Sequence, residues 1–279
     1  MGVQRIEITD LADPRVDVFR NVRDADMRGR DGLFMAESEL VLRRLVRMPD
    51  RLHSILLSHE KYCKLAPALE SLPANVPVFV TSLKLMHEIA AFHIHRGVLA
   101  AGVRLPAERM TLEAALGHFR PPAEPGAKGA VIIACEGVTN VDNMGAIFRN
   151  AAAFGVAGIV LDPTSCDPLY RKAIRVSMGH ALSIPYAVSS NWPSDLLRLK
   201  REWGMTIIGA ESHPHAVPPW KVPKADRIAI VLGSEGDGLS ERTLGVCDAV
   251  CEIPMAPGVP SINVAVASAV MLYELNPAR

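Results

Sequence analysis

The chain has 279 residues, 49% of them hydrophobic and 22% charged, which is typical of a globular protein with one large or two modest domains. Thirty basic and thirty acidic residues give a formal net charge of zero, so total charge provides no argument for a nucleic-acid partner. Five cysteines without a CxxC pair argue against a disulfide framework and against a zinc knuckle.

The N-terminal residues carry acids and lack an apolar core, which argues against a secretory signal. The longest apolar run, residues 264–272, is far too short to cross a membrane. We therefore expect a cytoplasmic protein without membrane contact.

An arginine cluster lies near the start of the chain, in a stretch that also contains many aspartates. Its members are Arg15, Arg20, Arg23, Arg28 and Arg30, and the neighbouring acids are Asp17, Asp24, Asp26 and Asp31. The pattern fits an RNA-phosphate contact surface, but on charge alone it favours a salt-bridged surface with no ligand.

Helices and strands alternate through the first hundred residues. Helical spacing covers residues 36–48 and is followed by a strand at 52–58, a helix at 61–70, a strand at 76–82, a helix at 83–91 and a strand at 97–105. The pattern predicts a small α/β domain over residues 1–105. Proline and glycine cluster just before residue 130, so we predict a linker over 106–129, which includes one connecting helix.

The pattern restarts more strongly in residues 130–279, which we predict to form a second domain. A buried strand at 131–136 precedes a helix with Asp142 or Asn143 as N-cap and Gly155 past its end, and another strand follows at 158–162. Strand, helix and strand in so few residues imply a parallel pair with a crossover. Further strands are predicted at 183–188, 205–210, 227–233 and 250–255, with helices at 171–182 and 194–203 and a buried apolar helix after Ile262.

Two loops near the C-terminus have the composition of loops that line a ligand-binding site. In residues 231–240, Gly233, Gly236 and Gly238 let the backbone approach a ligand closely, and Glu235 supplies a carboxylate. The second loop, broken by proline and glycine, ends at Ser261 and Asn263. Each polar residue also has a plain structural interpretation, because Glu235 fits a solvated turn and the other two fit helix caps.

Arg149 lies in a helix made otherwise of alanine, isoleucine and phenylalanine, where an unpaired buried arginine would be costly. Its sequence context allows an ion pair with Glu136 or Asp142, or contact with an anionic substrate. The histidine pairs His93 and His95, and His213 and His215, lack further ligands nearby, so we predict no metal site.

Three motifs occur together and in one order. They are NxGxxxR at Asn143, Gly145 and Arg149; GxEGxGLS at Gly233, Glu235, Gly236, Gly238, Leu239 and Ser240; and IPMxxxxxSxNV at Ile253, Pro254, Met255, Ser261, Asn263 and Val264. The set resembles the SpoU (TrmH) family of RNA 2'-O-ribose methyltransferases in the SPOUT superfamily. The resemblance covers residues 131–275, and more weakly the first hundred residues. Ala265 departs from the family, since many relatives have a serine there.

The resemblance implies an α/β fold in which a C-terminal SPOUT domain, with a parallel sheet and a deep trefoil knot, follows a small ribosomal-protein-like domain that binds RNA. It also implies a homodimer whose active site crosses the subunit interface. The cofactor implied is S-adenosyl-L-methionine, with its adenine held by backbone groups around Leu232, Gly233, Ile253, Met255 and Ile262.

The implied reaction is methyl transfer to a ribose 2'-hydroxyl of rRNA or tRNA. By the same resemblance, Arg149 activates the hydroxyl with Ser261 beside it, Asn143 positions Arg149, Glu235 helps to place the substrate and Asn263 orders its loop. A guanidinium is a poor base, so orientation and polarisation are the safer role for Arg149. Two alternatives stay open: a non-catalytic RNA-binding or ribosome-assembly protein that retains the fold, and a base-methylating SPOUT enzyme.

Overall fold

The computed structural model describes residues 5–20, 32–92, 94, 97–119 and 129–277. The strands are β1 (Arg5–Glu7), β2 (Leu33–Glu37), β3 (Leu52–Ser58), β4 (Val78–Thr81), β5 (Val98–Val103), β6 (Ala130–Cys135), β7 (Gly158–Leu161), β8 (Tyr186–Val188), β9 (Thr206–Ala210), β10 (Arg227–Leu232) and β11 (Ala249–Cys251). The α-helices are α1 (Glu39–Leu45), α2 (His59–Leu69), α3 (Leu83–Ala90), α4 (Leu112–Leu116), α5 (Val141–Ala153), α6 (Arg171–Val176), α7 (Ser194–Trp203), α8 (Glu241–Leu244) and α9 (Val264–Leu275).

Short 3-10 helices complete these elements, at Pro14–Phe19, Pro49–Arg51, Ala107–Arg109, Gly117–Phe119, His180–Leu182 and Pro219–Lys221. The contacts divide the chain into two compact units. The first comprises Met1–Leu105 with Leu169–Leu182, and the second comprises Pro106–Pro168 with Ser183–Arg279.

The first unit contains a mixed five-stranded sheet in the order β1-β4-β3-β5-β2. Strand β4 pairs in parallel with β1 and β3, whereas β5 runs antiparallel to β3 and β2. Residue Phe34 on β2 and Leu57 on β3 belong to one apolar core, while Met35 and Leu56 belong to another. Alternate residues of the strands therefore bury against two cores, as the period of two in a strand requires.

The predicted helix over 36–48 starts later than expected, because Leu33–Glu37 pairs as a strand with β5 and Ser38 then caps α1 by accepting from Val41 N. In the arginine cluster, Arg15 pairs with Asp13 and Arg20 pairs with Asp17. These two arginines follow the salt-bridged interpretation. Arg23, Arg28 and Arg30 lie outside the described residues.

The second unit is built on a six-stranded sheet in the order β11-β9-β10-β6-β7-β8, with every neighbouring pair parallel. All residues of β6 and β7 are buried. Parallel sheets covered on both faces read as continuous apolar runs, which explains why these strands were visible in the sequence. The order places β10 in the middle of the sheet, between β9 and β6.

Two predicted domain boundaries need correction. Residues 106–119 are part of the second unit rather than a linker, since Leu112 and Leu116 are buried in its core and Trp203 Nε1 donates to Leu116 O at 2.9 Å. Residues 120–128 lie outside the described residues. The segment Leu169–Leu182 groups with the first unit, where Leu169 and Ile174 join an apolar core.

The predicted N-cap of α5 was also wrong by two or three positions. Asn140 caps the helix, with its Oδ1 accepting from Asp142 N at 2.8 Å and from Asn143 N at 3.3 Å. The shift frees the Asn143 side chain for a contact elsewhere.

Candidate active site

The loops that leave β9, β10 and β11 surround one cavity of about 560 Å³. These strands are neighbours in the parallel sheet, so their carboxyl ends and the loops after them meet at one edge. Residues from all three loops line the cavity, as do the start of α9 and Met271 within that helix. The volume lies in the range of small-molecule and cofactor sites.

Backbone packing shapes the loop after β10, residues 233–240. A Cβ on Gly233 would lie 2.4 Å from the carbonyl carbon of Gly238, so only glycine allows the two ends of the loop to approach so closely. Gly238 adopts φ of +67°, in the left-handed region. Ser234 N donates to Gly238 O at 3.3 Å and closes the turn.

Three side chains from separate parts of the chain form one hydrogen-bonded cluster: Asn143 on α5, Glu235 in the loop after β10, and Asn263 at the start of α9. Asn143 Nδ2 donates to Glu235 Oε1, and Asn263 Nδ2 donates both to that oxygen at 3.0 Å and to Asn143 Oδ1 at 2.9 Å. Asn263 also caps α9, because its Oδ1 accepts from Ala265 N and Val266 N. The cluster fixes Glu235 Oε1, while Oε2 accepts no hydrogen bond from the described residues.

Two further glutamates hold the same loop at its C-terminal end. Glu136, which directly follows β6, accepts from Ser240 N at 3.1 Å, Ser240 Oγ at 2.7 Å and Thr243 Oγ1 at 3.0 Å. Glu211, which directly follows β9, accepts from Leu239 N at 2.8 Å. Hydrogen bonds thus attach the loop to the ends of both strands that flank β10. They hold its backbone in one conformation beside the cavity.

A second cavity of about 380 Å³ shares Ser234, Glu235 and Val264 with the first. Its other lining residues belong to the loop 137–140, to Asn143 and to Asp237. Buried Asp162 fixes this loop, since its Oδ1 accepts from Gly137 N at 3.0 Å, and Ser165 Oγ accepts from Val138 N at 3.1 Å. Glu235 therefore stands on the wall between two cavities.

Arg149 lies apart from this constellation. Its side chain is exposed on α5, makes no ion pair with any described residue, and lines neither cavity. The ion pair allowed by the sequence is therefore absent from the described part of the chain, and Glu136 is engaged by Ser240 and Thr243 instead. The neighbouring Asn150 points the other way and binds α9, donating to Ala265 O at 2.7 Å and to Ser268 Oγ at 2.8 Å.

The other residues predicted to act lie together. Leu232, Gly233, Ile253, Met255 and Ile262 all line the larger cavity, as do Glu235, Ser261 and Asn263. Asn143 lines the smaller cavity. Glu136, Glu211 and Asp162 were missed, although each follows a buried parallel strand directly, a position that often faces a ligand.

Three exposed apolar side chains of the second unit lie on α9 or on the 3-10 helix that packs against it. Trp220 is 70% exposed, Tyr273 54% and Val266 52%. Val266 and Tyr273 are seven residues apart and share a face of α9, and the 3-10 helix that contains Trp220 packs against α9. Exposed apolar side chains on neighbouring elements are typical of interaction sites.

Among the described residues there is no group of three or more His, Cys, Asp or Glu placed to hold a metal ion. The rings of His213 and His215 lie 5.4 Å apart, and His93 and His95 are outside the described residues. Across the same described ranges, every helix is too short or too polar to span a membrane.

Comparisons with known proteins agree with this geometry. The sequence profile of the SpoU rRNA Methylase family matches residues 130–273. An uncharacterized tRNA/rRNA methyltransferase of Mycobacterium tuberculosis is 35% identical, over 98% of this chain and 92% of the relative. The 23S rRNA (guanosine-2'-O-)-methyltransferase RlmB of Vibrio parahaemolyticus is 29% identical, over 82% of this chain and 90% of the relative.

Solved structures show the same fold along nearly the whole chain. An AdoMet-bound rRNA methyltransferase from Sinorhizobium meliloti aligns with a TM-score of 0.77 at 22% identity, covering 97% of each chain. The SpoU methyltransferase AviRb from Streptomyces viridochromogenes, in complex with AdoMet, aligns with a TM-score of 0.73 at 21% identity, covering 93% of this chain and 95% of that one. The resemblance inferred from the three motifs is therefore confirmed: the chain belongs to the SpoU rRNA methylase family, whose members are RNA methyltransferases.

Proposed function

We propose that this protein transfers a methyl group from S-adenosyl-L-methionine to a ribose 2'-hydroxyl of rRNA or tRNA. The observation that carries the proposal is the position of Glu235, held by Asn143 and Asn263 on the wall between two cavities. One cavity then holds the methyl donor and the other admits the acceptor nucleotide. The RlmB relative is a guanosine-2'-O-methyltransferase by name, which supports ribose as the acceptor.

The larger cavity suits S-adenosylmethionine in its chemistry. Leu232, Ile253, Met255 and Ile262 supply apolar side chains for a flat adenine, and their backbone N–H and C=O groups can recognise its edge. Gly233 allows close approach to the loop backbone. When bound, the cofactor supplies a methyl group on a positively charged sulfur, and the nearby Glu235 carboxylate complements that charge.

The smaller cavity is the proposed entrance for the target nucleotide. Thr139 and Asp237 line it, and their side chains make no hydrogen bond to another described residue. Both are therefore available to a ligand. Asn140 instead caps α5, and Asn143 belongs to the cluster around Glu235. No lysine or arginine occurs among its lining residues, so the cavity suits a base or ribose better than a phosphate.

A ribose hydroxyl is a weak neutral nucleophile, so the enzyme must align it and withdraw part of its proton. Ser261 lines the cofactor cavity and can accept or donate a hydrogen bond at that point. Arg149 is proposed to bind the adjoining phosphate and polarise the hydroxyl, as its family motif implies. Because the side chain lies outside both cavities of its own chain, it must act on another site.

A homodimer provides that other site. The exposed apolar surface formed by Trp220, Val266 and Tyr273 is the proposed contact between subunits, since the α5 helix that carries Arg149 packs directly against α9. In a two-fold dimer each subunit presents the same patch to the other. Arg149 of one subunit would then complete the site around Glu235 of the partner.

We also propose the deep trefoil knot and the RNA-binding N-terminal domain that the family resemblance implies. Support for the knot comes from the crossing of loops near the C-terminus, where Asn263 reaches both Asn143 and Glu235. Support for the RNA-binding N-terminal domain comes from the separate α/β unit that contains residues 5–20 and 32–92. Partners are thus RNA and a second copy of the chain.

The two alternatives differ from the proposal in measurable ways. Calorimetric titration with S-adenosylmethionine tests the non-catalytic scaffold, which predicts no measurable binding. Nuclease digestion of RNA methylated by the purified protein, followed by mass spectrometry of the nucleosides, separates ribose from base methylation. We expect S-adenosylmethionine to bind and the RNA to yield a 2'-O-methyl nucleoside. A base-methylated nucleoside would show that the protein is a base-methylating SPOUT enzyme.

A further inference from the structure

Glu211 is a carboxylate in the larger cavity that none of the three family motifs includes. It stands directly after β9, at the carboxyl end of a strand beside β10, and it lines the cavity together with Leu232 and Gly233. The side chain is half-buried. A half-buried carboxylate needs hydrogen-bond donors around it, because its desolvation has a cost.

The loop after β10 supplies one of these donors. Glu211 Oε2 accepts from Leu239 N at 2.8 Å, and a Cβ on Gly238 would lie 2.3 Å from the same oxygen. Oε1 accepts only from Ser212 N, at 3.1 Å, among the described residues. A carboxylate has about four acceptor positions. Two stay available after the backbone contacts are made.

The point at which Glu211 contacts the loop after β10 indicates which part of the cofactor it faces. Gly233 and Gly238 approach each other at the base of the loop, beside Glu211, whereas Glu235 lies nearer the tip. Leu232 and Gly233, the proposed adenine contacts, are also at the base. The reacting sulfur belongs near Glu235, on the wall shared with the smaller cavity. The ribose of the cofactor connects the adenine to the sulfur.

We propose that Glu211 binds the ribose hydroxyls of S-adenosylmethionine while it holds the glycine loop in place. A cis-diol presents two O–H donors, and a carboxylate is the acceptor used for ribose hydroxyls in dinucleotide sites as well. The inference rests on the proposed function, since it needs this cofactor in this cavity. It adds a cofactor contact that sequence motifs did not reveal.

The experiment is a calorimetric cycle on the full-length protein with two ligands, 5'-methylthioadenosine and its 2'-deoxy analogue. In the wild type we expect the 2'-deoxy analogue to bind about tenfold more weakly, because one hydrogen bond to a charged group is lost. In Glu211→Gln the carbonyl oxygen can still accept from Leu239 N, so the loop is kept. The difference between the two ligands should shrink to about twofold.

Glu241→Gln serves as the matched control, since Glu241 is exposed in α8 and does not line the cavity. It should bind both ligands like the wild type. An unchanged tenfold difference in Glu211→Gln would overturn the inference and leave Glu211 a loop support. If Glu211→Gln weakened S-adenosylmethionine but not methylthioadenosine, Glu211 would bind the amino group rather than the ribose. Failure of the wild type to bind S-adenosylmethionine in the same calorimeter would contradict the proposed function itself.

Discussion

At the scale of single residues, we propose that Arg149 serves catalysis and takes no part in cofactor binding. It is exposed and outside both cavities, whereas Asn143, Glu235 and Asn263 form a hydrogen-bonded cluster. Removing Arg149 should therefore leave the cofactor cavity intact. Electrostatic groups aimed at a reacting centre contribute mainly to the rate of the chemical step.

Arg149→Ala should lower kcat by ~100-fold or more while the Kd for S-adenosylmethionine changes less than about twofold. Single-turnover methylation assays and calorimetry measure the two quantities. Arg201→Ala is the control, because Arg201 is exposed on α7 away from both cavities. Equal losses of cofactor affinity and rate in Arg149→Ala would show that Arg149 is structural.

The thiols give a second prediction at this scale. Burial raises the pKa of Cys166 to about 12, of Cys247 to about 11 and of Cys251 to about 12, and it raises the pKa of Cys135 further. A raised pKa leaves almost no thiolate at pH 8, and thiolate is the reactive form. Cys63 is exposed.

At pH 8 a disulfide reagent such as Ellman's should label one thiol in a fast phase and the others only slowly. Cys63→Ser should abolish the fast phase. Fast labelling of two or more thiols in the folded protein would contradict the burial of the remaining cysteines. Raising the pH should accelerate the slow phase, because it increases the thiolate fraction of the thiols whose pKa burial raises.

The residues of the cluster could be named from sequence, but their contacts could not. The three motifs identify Asn143, Glu235 and Asn263 by spacing, yet the N-cap of α5 was assigned two or three residues too late. Cap preference alone does not separate Asn140 from Asp142 and Asn143, since all three residue types cap helices well. The sequence equally could not show that Arg149 makes no ion pair with a described residue, because ion pairs depend on which side of a helix faces solvent.

At the scale of elements, the glycine loop after β10 joins the sheet to the cofactor cavity. Its two ends touch at Gly233 and Gly238, and Glu136 and Glu211 attach it to the neighbouring strands. Such a loop should tolerate no side chain at the point where its backbone closes.

Gly233→Ala would place a Cβ 2.4 Å from backbone atoms, so the loop must open. We expect S-adenosylmethionine to bind at least about tenfold more weakly, and the free energy of unfolding to fall by about 1–3 kcal/mol. Calorimetry and urea unfolding measure these effects. Gly117→Ala, where a Cβ meets nothing within 4 Å, is the matched control. Wild-type affinity in Gly233→Ala would show that the loop does not close on a ligand.

Strand and helix patterns were predicted well where they were strongly apolar or clearly periodic. The strand at 52–58 and the helix at 194–203 match β3 and α7 at both ends. Strand β2 was missed because its five residues merge with the helical spacing that follows. The helix predicted over 171–182 ends at Val176, since Met178 and Gly179 adopt positive φ.

At the scale of the whole molecule, the proposed catalytic site needs a second copy of the chain. The cluster around Glu235 faces two cavities, and Arg149 lies outside them. Membership of the family was predictable because three motifs occur in one order. Domain boundaries were less predictable. Leu169–Leu182 joins the first unit through packing against residues distant in sequence, which the local pattern of residues does not show.

Substituting the proposed subunit contact should separate the dimer. The double variant Val266→Glu with Tyr273→Glu places two charges on the exposed face of α9, and sedimentation should then give a monomer with little activity. Leu197→Glu is the control, because Leu197 is 40% exposed on α7, away from this surface. A monomeric wild type, or a variant that stays dimeric, would exclude this surface.

A mixture of two inactive variants tests whether Arg149 acts across the interface. Arg149→Ala and Glu235→Gln are unfolded and refolded together, so that about half of the dimers contain one subunit of each. If each site uses Arg149 from the partner, the mixed dimers have one intact site, and the sample recovers about a quarter of wild-type activity. No recovery, with mixed dimers demonstrated by mass, would place Arg149 in the site of its own chain.

The most direct test of the central claim uses RNA from cells that lack this gene. The RNA is incubated with purified protein and S-adenosylmethionine, and its 2'-O-methylated positions are mapped before and after. We predict that at least one ribose position gains a methyl group with the wild type and gains none with Arg149→Ala. Identical maps before and after incubation, from protein shown to bind the cofactor, would contradict the claim that this chain is a ribose methyltransferase.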